Sequence, residues 1–590
     1  MFSLFDQDVQ QKLKASPAIT TTTSGATIPY PFPSPADWRD HWIYFLLVDR
    51  FDNPAAPPTP NNYPCYQYQG GNLAGIRQRL AYLKSLGVGA IWISPVLMNP
   101  QWFKDYWGGY GMQNFLRIEP RFCSDPVRAL ADPAYAEAEF RSLVDEAHAL
   151  GMYVILDIVL NHAGDVFGYK GFGNTAPYAN HEYEIAWRDE NGNMQNNWTA
   201  IEHVSTLTHD QGIWPVELQK NAYFRRQGTS NDNGDFDRMK EFVTDYKNPL
   251  NGNHDVRKYL ILAYQYLIAA LDIDGYRIDT LMYVEPEFAR IFGNSMREYA
   301  LSIGKKNFFT FGEVWKDDDE SGIAEFIGRN TSKDGDLVGV DAALDFPLRK
   351  RLHAVAKAQI SPAILADHMD KRRELLRQIV SSHGDASRYY VTFLDNHDLA
   401  DRFHNKDYPA QTTIALSCLM TLQGIPCIYY GTERGLENFR NSCRDRENSR
   451  EALWGQQNAF DINTNEFQLI RDLSGLRAKE PAIRYGRQYF RMCSGDGLHF
   501  GYSPFAGGIL AFSRILNEQE ILVVANTNPV QTTTIFIQVD FNLHVEGSNW
   551  EVIFPAGQDG VAKTTTVTTG NSRSVQVRLL PGELLVLKPL

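Results

Sequence analysis

Between Asp272 and Val284 the chain reads DIDGYRIDTLMYV, a strand-like run that carries Arg277 and, two residues on, Asp279. Residues i and i+2 of a strand point to one face, so the guanidinium and the carboxylate share a face and can pair. Charged side chains are seldom buried without such a partner. A structural ion pair at a strand end would explain this stretch by itself. It does not explain the others. Asp157, Asn161 and His162 end a second apolar run, Glu313 ends a third, and His397 and Asp398 end a fourth. Carboxylates, a cation and histidines recurring at strand ends read as groups for chemistry rather than for stability, provided that one fold collects those ends.

The elements that must collect them alternate. Apolar runs at 41–51, 87–96, 151–162, 273–279, 307–315, 389–398 and 425–433 read as strands, and a weaker run at 337–344 makes eight. Helical patterns such as 73–86, 134–150, 257–271 and 412–423 lie between them. Strands that alternate with helices pair in parallel, and near-continuous apolar strands are covered on both faces. Eight such units predict a (β/α)8 TIM barrel, in which every C-terminal strand end lies on one rim. A doubly wound open sheet is the runner-up, but no Gly-rich phosphate turn follows the first strand. The expected division is a loose Thr/Pro-rich segment 1–36, a barrel over 37–162 and 247–480, an inserted subdomain over 163–246, and a C-terminal all-β sandwich over 481–590.

Composition narrows the partners. The chain of 590 residues has a net charge of −13, which argues against nucleic acid or an anionic membrane surface. No run approaches the length of a membrane span. The six cysteines are scattered without a CxxC pair, so neither a zinc cage nor a disulfide framework is expected. The N-terminus lacks a basic start followed by a long apolar run, so no secretory signal is read and cytoplasm is the default location.

Four short motifs occur in order: DIVLNH (157–162), GYRIDTLMY (275–283), GEVW (312–315) and FLDNHD (393–398). With IYFLLVDRF near the start and GGYGMQNFLRIEPRF at 108–122, they make the chain resemble the alpha-amylase family of glycoside hydrolases over nearly everything after residue 38. The resemblance implies a retaining glycoside hydrolase that cleaves α-1,4-glucosidic bonds in starch, glycogen or maltooligosaccharides. It implies Asp279 as nucleophile, Glu313 as general acid and then base, and Asp398 as the third carboxylate, which holds sugar hydroxyls. Such a pair works with one carboxylate ionised and the other protonated. Arg277 is expected to lower the pKa of Asp279, and apolar neighbours to raise that of Glu313.

The same resemblance makes His162 and His397 hydrogen-bonding partners of the sugar and Tyr110 its stacking platform. Asp157 would hold Arg277 in position, and Arg450 would bind a sugar further from the cut. Asn161 matches a calcium ligand, with Asp165, Glu217, Asp235 and Asp237 as candidate partners; no organic cofactor is implied. Three departures stand out. Met282 and Tyr283 replace a Lys-His pair on the acceptor side, Gly108 and Gly111 flank Tyr110 and suggest a roomier donor side, and Arg446 stands where an aspartate is common. The close alternative is a transglycosylase, or a cyclomaltodextrin- or branch-directed enzyme, with the same three acids. A non-catalytic carbohydrate-binding barrel is the alternative from another class. Endo or exo action and oligomeric state are not legible.

Overall fold

The computed structural model describes residues 2–56, 65–105, 108–230, 233–332, 335–437, 445–555 and 564–590. Eight parallel strands form its centre: β1 (Ile43–Leu46), β2 (Ala90–Ile93), β3 (Tyr153–Val159), β4 (Gly275–Asp279), β5 (Phe309–Gly312), β6 (Ala342–Ala343), β7 (Val391–Thr392) and β8 (Ile425–Tyr429). They are ordered β6-β5-β4-β3-β2-β1-β8-β7. A parallel bridge between Leu344 and Val391, with Asp345 N–H donating to the Val391 carbonyl at 2.9 Å, joins the two edges and closes the barrel. The weak run at 337–344 is thus the sixth strand.

The surrounding helices start where polar caps and prolines place them. Asp132, Asp345 and Ser361 each accept a backbone N–H at the head of Pro133–Ala149, Phe346–Ala356 and Pro362–Leu375. Proline in the first turn of each has no N–H to leave unsatisfied there. Strand residues such as Ile43, Phe45, Ile155 and Ile278 are fully buried, as strands covered on both faces require.

Between β3 and β4 the chain leaves the barrel. His162–Ala163 pairs with Lys240–Glu241, and Phe167–Tyr169 pairs with Ile185–Trp187. Otherwise this insertion has little regular structure. Its core is aromatic: Phe167, Trp187 and Phe224 meet edge to face with ring centres 5.4–5.5 Å apart.

The segment 1–36, expected to be loose, is instead fastened to the barrel. It carries a helix, Gln7–Lys12, and a hairpin of Ala18–Thr21 with Thr27–Tyr30. Lys12 pairs with Glu137 at 2.5 Å, the Tyr30 hydroxyl donates to the Ala269 carbonyl at 2.7 Å, and Phe32 stacks on His148 with ring centres 4.1 Å apart. Its threonines and prolines hide the few buried anchors, Leu4, Val9 and Ile28, that do the fastening.

After the helix Asn465–Lys479 the chain forms nine antiparallel strands. In Gln519–Asn526, Leu522 and Val524 face the sandwich core, while Ile521, Val523 and Ala525 join the barrel's core. Burial of both faces of one strand packs this domain against the barrel, which fits a covering role.

Among the described cysteines, Cys123, Cys418, Cys427 and Cys493 are free and buried, and Cys65 is disulfide-bonded; Cys443 lies outside the described residues. The bonded Cys65 departs from the expectation drawn from spacing alone. Among the described residues no helix is long and apolar enough to cross a membrane.

Candidate active site

The register of β3 and β4 sets Arg277 opposite Asp157, so the arginine meets one carboxylate across the strands and another, Asp279, along its own. Its Nη1 donates to Asp157 Oδ1 at 2.9 Å and to Asp279 Oδ1 at 2.7 Å. Its Nη2 stands 3.0 Å from Glu313 Oε2, at the end of β5. One buried cation therefore hydrogen-bonds two carboxylates through Nη1 and pairs by charge with a third, joining three adjacent strands. The ring of Trp92, from β2, lies 5.2 Å from the guanidinium and donates its Nε1–H to Asp157 Oδ2 at 3.0 Å. Beyond Asp279 the backbone takes a left-handed turn at Thr280, φ +47°, which lets the Thr280 N–H donate to Glu313 Oε2 at 3.1 Å. A β-branched residue in that region is strained, and such strain is typical of sites where geometry is over-determined.

The opposite wall comes from the segment that follows β7, from Tyr110 in the connection after β2, and from Arg446 and Arg450 well beyond β8. His397 Nε2 lies 3.2 Å from Asp398 Oδ2 and 2.8 Å from the Tyr110 hydroxyl. That hydroxyl gives its one proton to Asp157 Oδ2 at 2.9 Å, so toward His397 it accepts. The Tyr110 and His397 rings are stacked, 7° from parallel. Arg446 and Arg450 both reach Asp398 Oδ1, at 3.0 and 3.2 Å, and Arg450 also donates to the His397 carbonyl at 2.8 Å. His162 Nε2 donates to the Tyr110 carbonyl at 3.2 Å, leaving its buried Nδ1 without a protein partner.

Asp279, Glu313 and Asp398 open into one cavity of about 630 Å³, together with Tyr110, Asn161, His162, His397, Met282, Tyr283 and Arg450. Arg277 and Asp157, expected to position one another, do not line it. They lie fully buried beneath its floor and act through the carboxylates they hold. Gly108 leaves no spare donor-side room either. A Cβ there would stand 2.7 Å from the Tyr110 ring, and its φ of +69° favours glycine in any case.

The cavity also has walls that the motifs did not announce: Tyr66, Phe236, Met239 and Glu241. Most come from the insertion. Pairing of Lys240–Glu241 with His162–Ala163 sets Glu241 directly opposite His162. That long-range register leaves no trace in local sequence. Trp315, which also lines the cavity, is the last residue of the GEVW motif.

Burial dominates the electrostatics. It pushes Glu313 up to about 8, with Arg277 opposing and Asp279 and Asp398 adding to it. It pushes Asp279 up to about 7, again against Arg277, with Asp157 and Asp398 reinforcing it. Arg277 does favour ionised Asp279, as expected, but the net direction is upward because desolvation and two neighbouring carboxylates outweigh one shared cation. Asp398 goes the other way. Burial raises it, yet His397, Arg450, Arg446 and Arg277 together hold it well below the ordinary carboxylate range. Burial lowers His162 to about 4 and His397 to about 3, so both rings are neutral at pH 7, each with its one N–H on Nε2 and its Nδ1 left as an acceptor.

Four of the five residues that could hold a metal are already engaged. Asn161 Oδ1 accepts from the Thr280 hydroxyl at 2.6 Å. Asp165 pairs with Arg188 and Arg238, Asp235 pairs with Lys240, Glu217 accepts the Leu4 N–H at 3.0 Å, and Asp237 lines the cavity. A further buried group, Asp145, His148 and Asp272, lies toward the opposite end of the barrel, where Lys305 stands 2.8 Å from Asp272.

A family model described as the alpha-amylase catalytic domain matches residues 45–467. The chain is 26% identical over 593 residues to a cyclomaltodextrin glucanotransferase of Klebsiella oxytoca, covering 92% of this chain and 78% of the relative. It is 25% identical over 515 residues to an alpha-amylase of Streptomyces lividans, covering 76% of this chain and about half, 49%, of that longer relative. Among solved structures, an alpha-amylase from Geobacillus thermoleovorans complexed with acarbose superposes with a TM-score of 0.64 at 22% identity, covering 94% of this chain and 99% of that one.

Proposed function

We propose, from the premise that the chain belongs to the alpha-amylase family, that its barrel cleaves α-1,4-glucosidic bonds of starch-type glucans or maltooligosaccharides with retention at the anomeric carbon. One observation carries the reading: Asp279 and Glu313 rest on two arms of one guanidinium and face one cavity. A retaining pair needs close spacing, about 5–5.5 Å, without room for a water between the carboxyls.

The two steps follow from the charges. Protonated Glu313 gives its proton to the glycosidic oxygen as the bond to C1 breaks, and Asp279 attacks C1 to form a glycosyl ester. Glu313, now a carboxylate, takes a proton from the incoming water or sugar hydroxyl, whose oxygen bonds to C1 as the ester breaks. Asp398, kept ionised by two arginines, accepts hydroxyls of the strained ring and steadies the positive charge that builds on it. Neutral His162 and His397, whose N–H groups on Nε2 are already engaged, accept sugar hydroxyls at Nδ1, and Tyr110 supplies a ring face.

The acceptor side favours a second reading for the last step. Met282, Tyr283, Phe236 and Trp315 make that wall aromatic and apolar, and Tyr283 and Trp315 are more than a third exposed. Such faces suit a sugar ring better than free water, so transfer to another glucan, or to the chain's own end, competes with hydrolysis. Incubation with maltoheptaose separates the outcomes. The first-formed reducing ends are expected as the α-anomer by proton NMR, and longer or cyclic products report transfer. First-formed β-anomer, or no turnover of any α-glucan, overturns the proposal.

The reaction's pH profile follows from the pair. Below about 7 both carboxyls hold protons and there is no nucleophile; above about 8 both are ionised and there is no acid. A narrow bell in kcat/KM between these limits is the expected result. Glu313→Gln assayed with a glycosyl fluoride, whose leaving group needs no proton, keeps the acid limb and loses the alkaline one.

A further inference from the structure

The inserted subdomain concentrates buried charge around two aspartates. Asp235 is 1% exposed and Lys240 0%. Lys240 Nζ donates to Asp235 Oδ2 at 2.9 Å and to the Asn174 carbonyl at 3.0 Å, and it lies 5.0 and 4.8 Å from the ring centres of Phe167 and Tyr169. The Tyr169 hydroxyl donates to the same aspartate oxygen at 2.6 Å. Beside this, Arg188 spans Asp165 Oδ1 at 3.3 Å, the Gly192 carbonyl at 2.7 Å and Asn174 Oδ1 at 2.8 Å. Arg238 Nε takes the other oxygen of Asp165 at 2.7 Å. Asn174 is the hub: its carbonyl faces the lysine and its side-chain oxygen faces the arginine.

Two carboxylates, a side-chain amide oxygen and two backbone carbonyls are the hard oxygen donors that a calcium ion would gather. Here they gather an ammonium and a guanidinium. The two aspartates carry two negative charges and face three positive ones. A divalent cation entering this cluster would meet like charge at short range in a buried setting, where such repulsion is strong. These residues therefore do not fit a metal.

We propose that Lys240 and Arg188 take the place of a structural calcium ion, so that the subdomain holds its shape with the protein's own cations. The consequence reaches the cavity. Lys240 belongs to the two-residue strand that sets Glu241 opposite His162, and Met239 and Glu241 line the cavity wall. Fixing the ammonium fixes that wall. The proposal stands apart from the reading of the reaction, because its test reads folding and ion binding.

The full-length protein is dialysed against EGTA and its thermal unfolding recorded before and after addition of calcium alone, alongside a calorimetric titration with calcium chloride. Unchanged Tm in all states and no saturable binding heat are expected. A Tm that falls in EGTA and recovers with calcium overturns the proposal, as does stoichiometric binding to the parent protein. Lys240→Met supplies the second arm: it removes the cation while keeping a long apolar stem. Its Tm is expected to fall by several degrees and then to rise when calcium is added, because Asp235 and the Asn174 carbonyl are uncovered. A Lys240→Met protein as stable as the parent overturns the staple role. Should that variant fail to fold, Arg188→Lys, which keeps the charge and loses the fork to Gly192 and Asn174, is measured the same way, and an unchanged Tm there counts against the proposal.

Discussion

Replacing Asp279 with asparagine is expected to lower kcat/KM by about 10⁴-fold or more, roughly 5.5 kcal/mol of lost transition-state stabilisation, while the folded protein stays at least as stable as the parent. The two halves of that result come from one environment. Burial, with Asp157 and Asp398 adding to it, pushes the Asp279 carboxyl up to about 7 despite Arg277. A carboxyl whose folded pKa lies above its unfolded value costs stability as pH rises from the unfolded pKa through the folded one. At neutral pH the ionised group is thus tolerated for chemistry, and the neutral amide relieves the cost. Arg277 keeps Asp157 and Glu313 as partners, so the substitution leaves no orphaned cation. An inert variant that unfolds early would point instead to a structural carboxylate. The role itself is read by trapping. With a maltosyl fluoride, Glu313→Gln forms the ester but lacks the base to resolve it, so a maltosyl adduct accumulates on the peptide that carries Asp279. An adduct on another carboxylate, or an Asp279→Asn protein of near-parental activity, would sink the assignment.

Much of this site was legible because strand geometry is simple. A period of two puts Arg277 and Asp279 on one face, and a barrel places every C-terminal strand end at one rim. What the sequence withheld was set by registers between distant segments. Direct pairing of Arg277 with Asp157 depends on how β3 slides against β4, and it makes both residues a buried floor rather than a contact surface. Glu241 enters the cavity only because its two-residue strand pairs with His162–Ala163, 78 positions back. The upward shift of Asp279 is hidden from the sequence for the same reason. Local sequence displays the arginine next door but neither the depth of burial nor the acids brought in from β3 and β7. Arg446 is the instructive departure: with an aspartate there, Asp398 would face an acid, whereas the arginine gives Asp398 a second cation and helps hold it ionised between two raised carboxyls.

Removing the shared cation tests the largest structural term in the site. Arg277→Met is expected to destabilise the protein by about 3–5 kcal/mol at neutral pH, because it leaves buried carboxylates without their partner. The sign with pH separates this cause from simple loss of packing. Asp157, Asp279 and Glu313 already sit above their ordinary values, at about 6, 7 and 8, and burial is the main reason. Without the guanidinium their ionisation becomes harder still. The deficit in Tm relative to the parent is therefore largest on the alkaline side, and it shrinks as pH falls and the three carboxyls take up protons. A deficit that stays constant with pH would show that lost van der Waals contact with Trp92, not charge, is the cause. Arg277→Lys sharpens the distinction. It keeps one positive charge, so part of the stability returns, but an ammonium has no planar fork to hold Asp279 on one arm and Glu313 on the other. Stability that recovers while kcat stays low is the outcome expected if the arginine's second task is to set the spacing of the two reacting carboxyls.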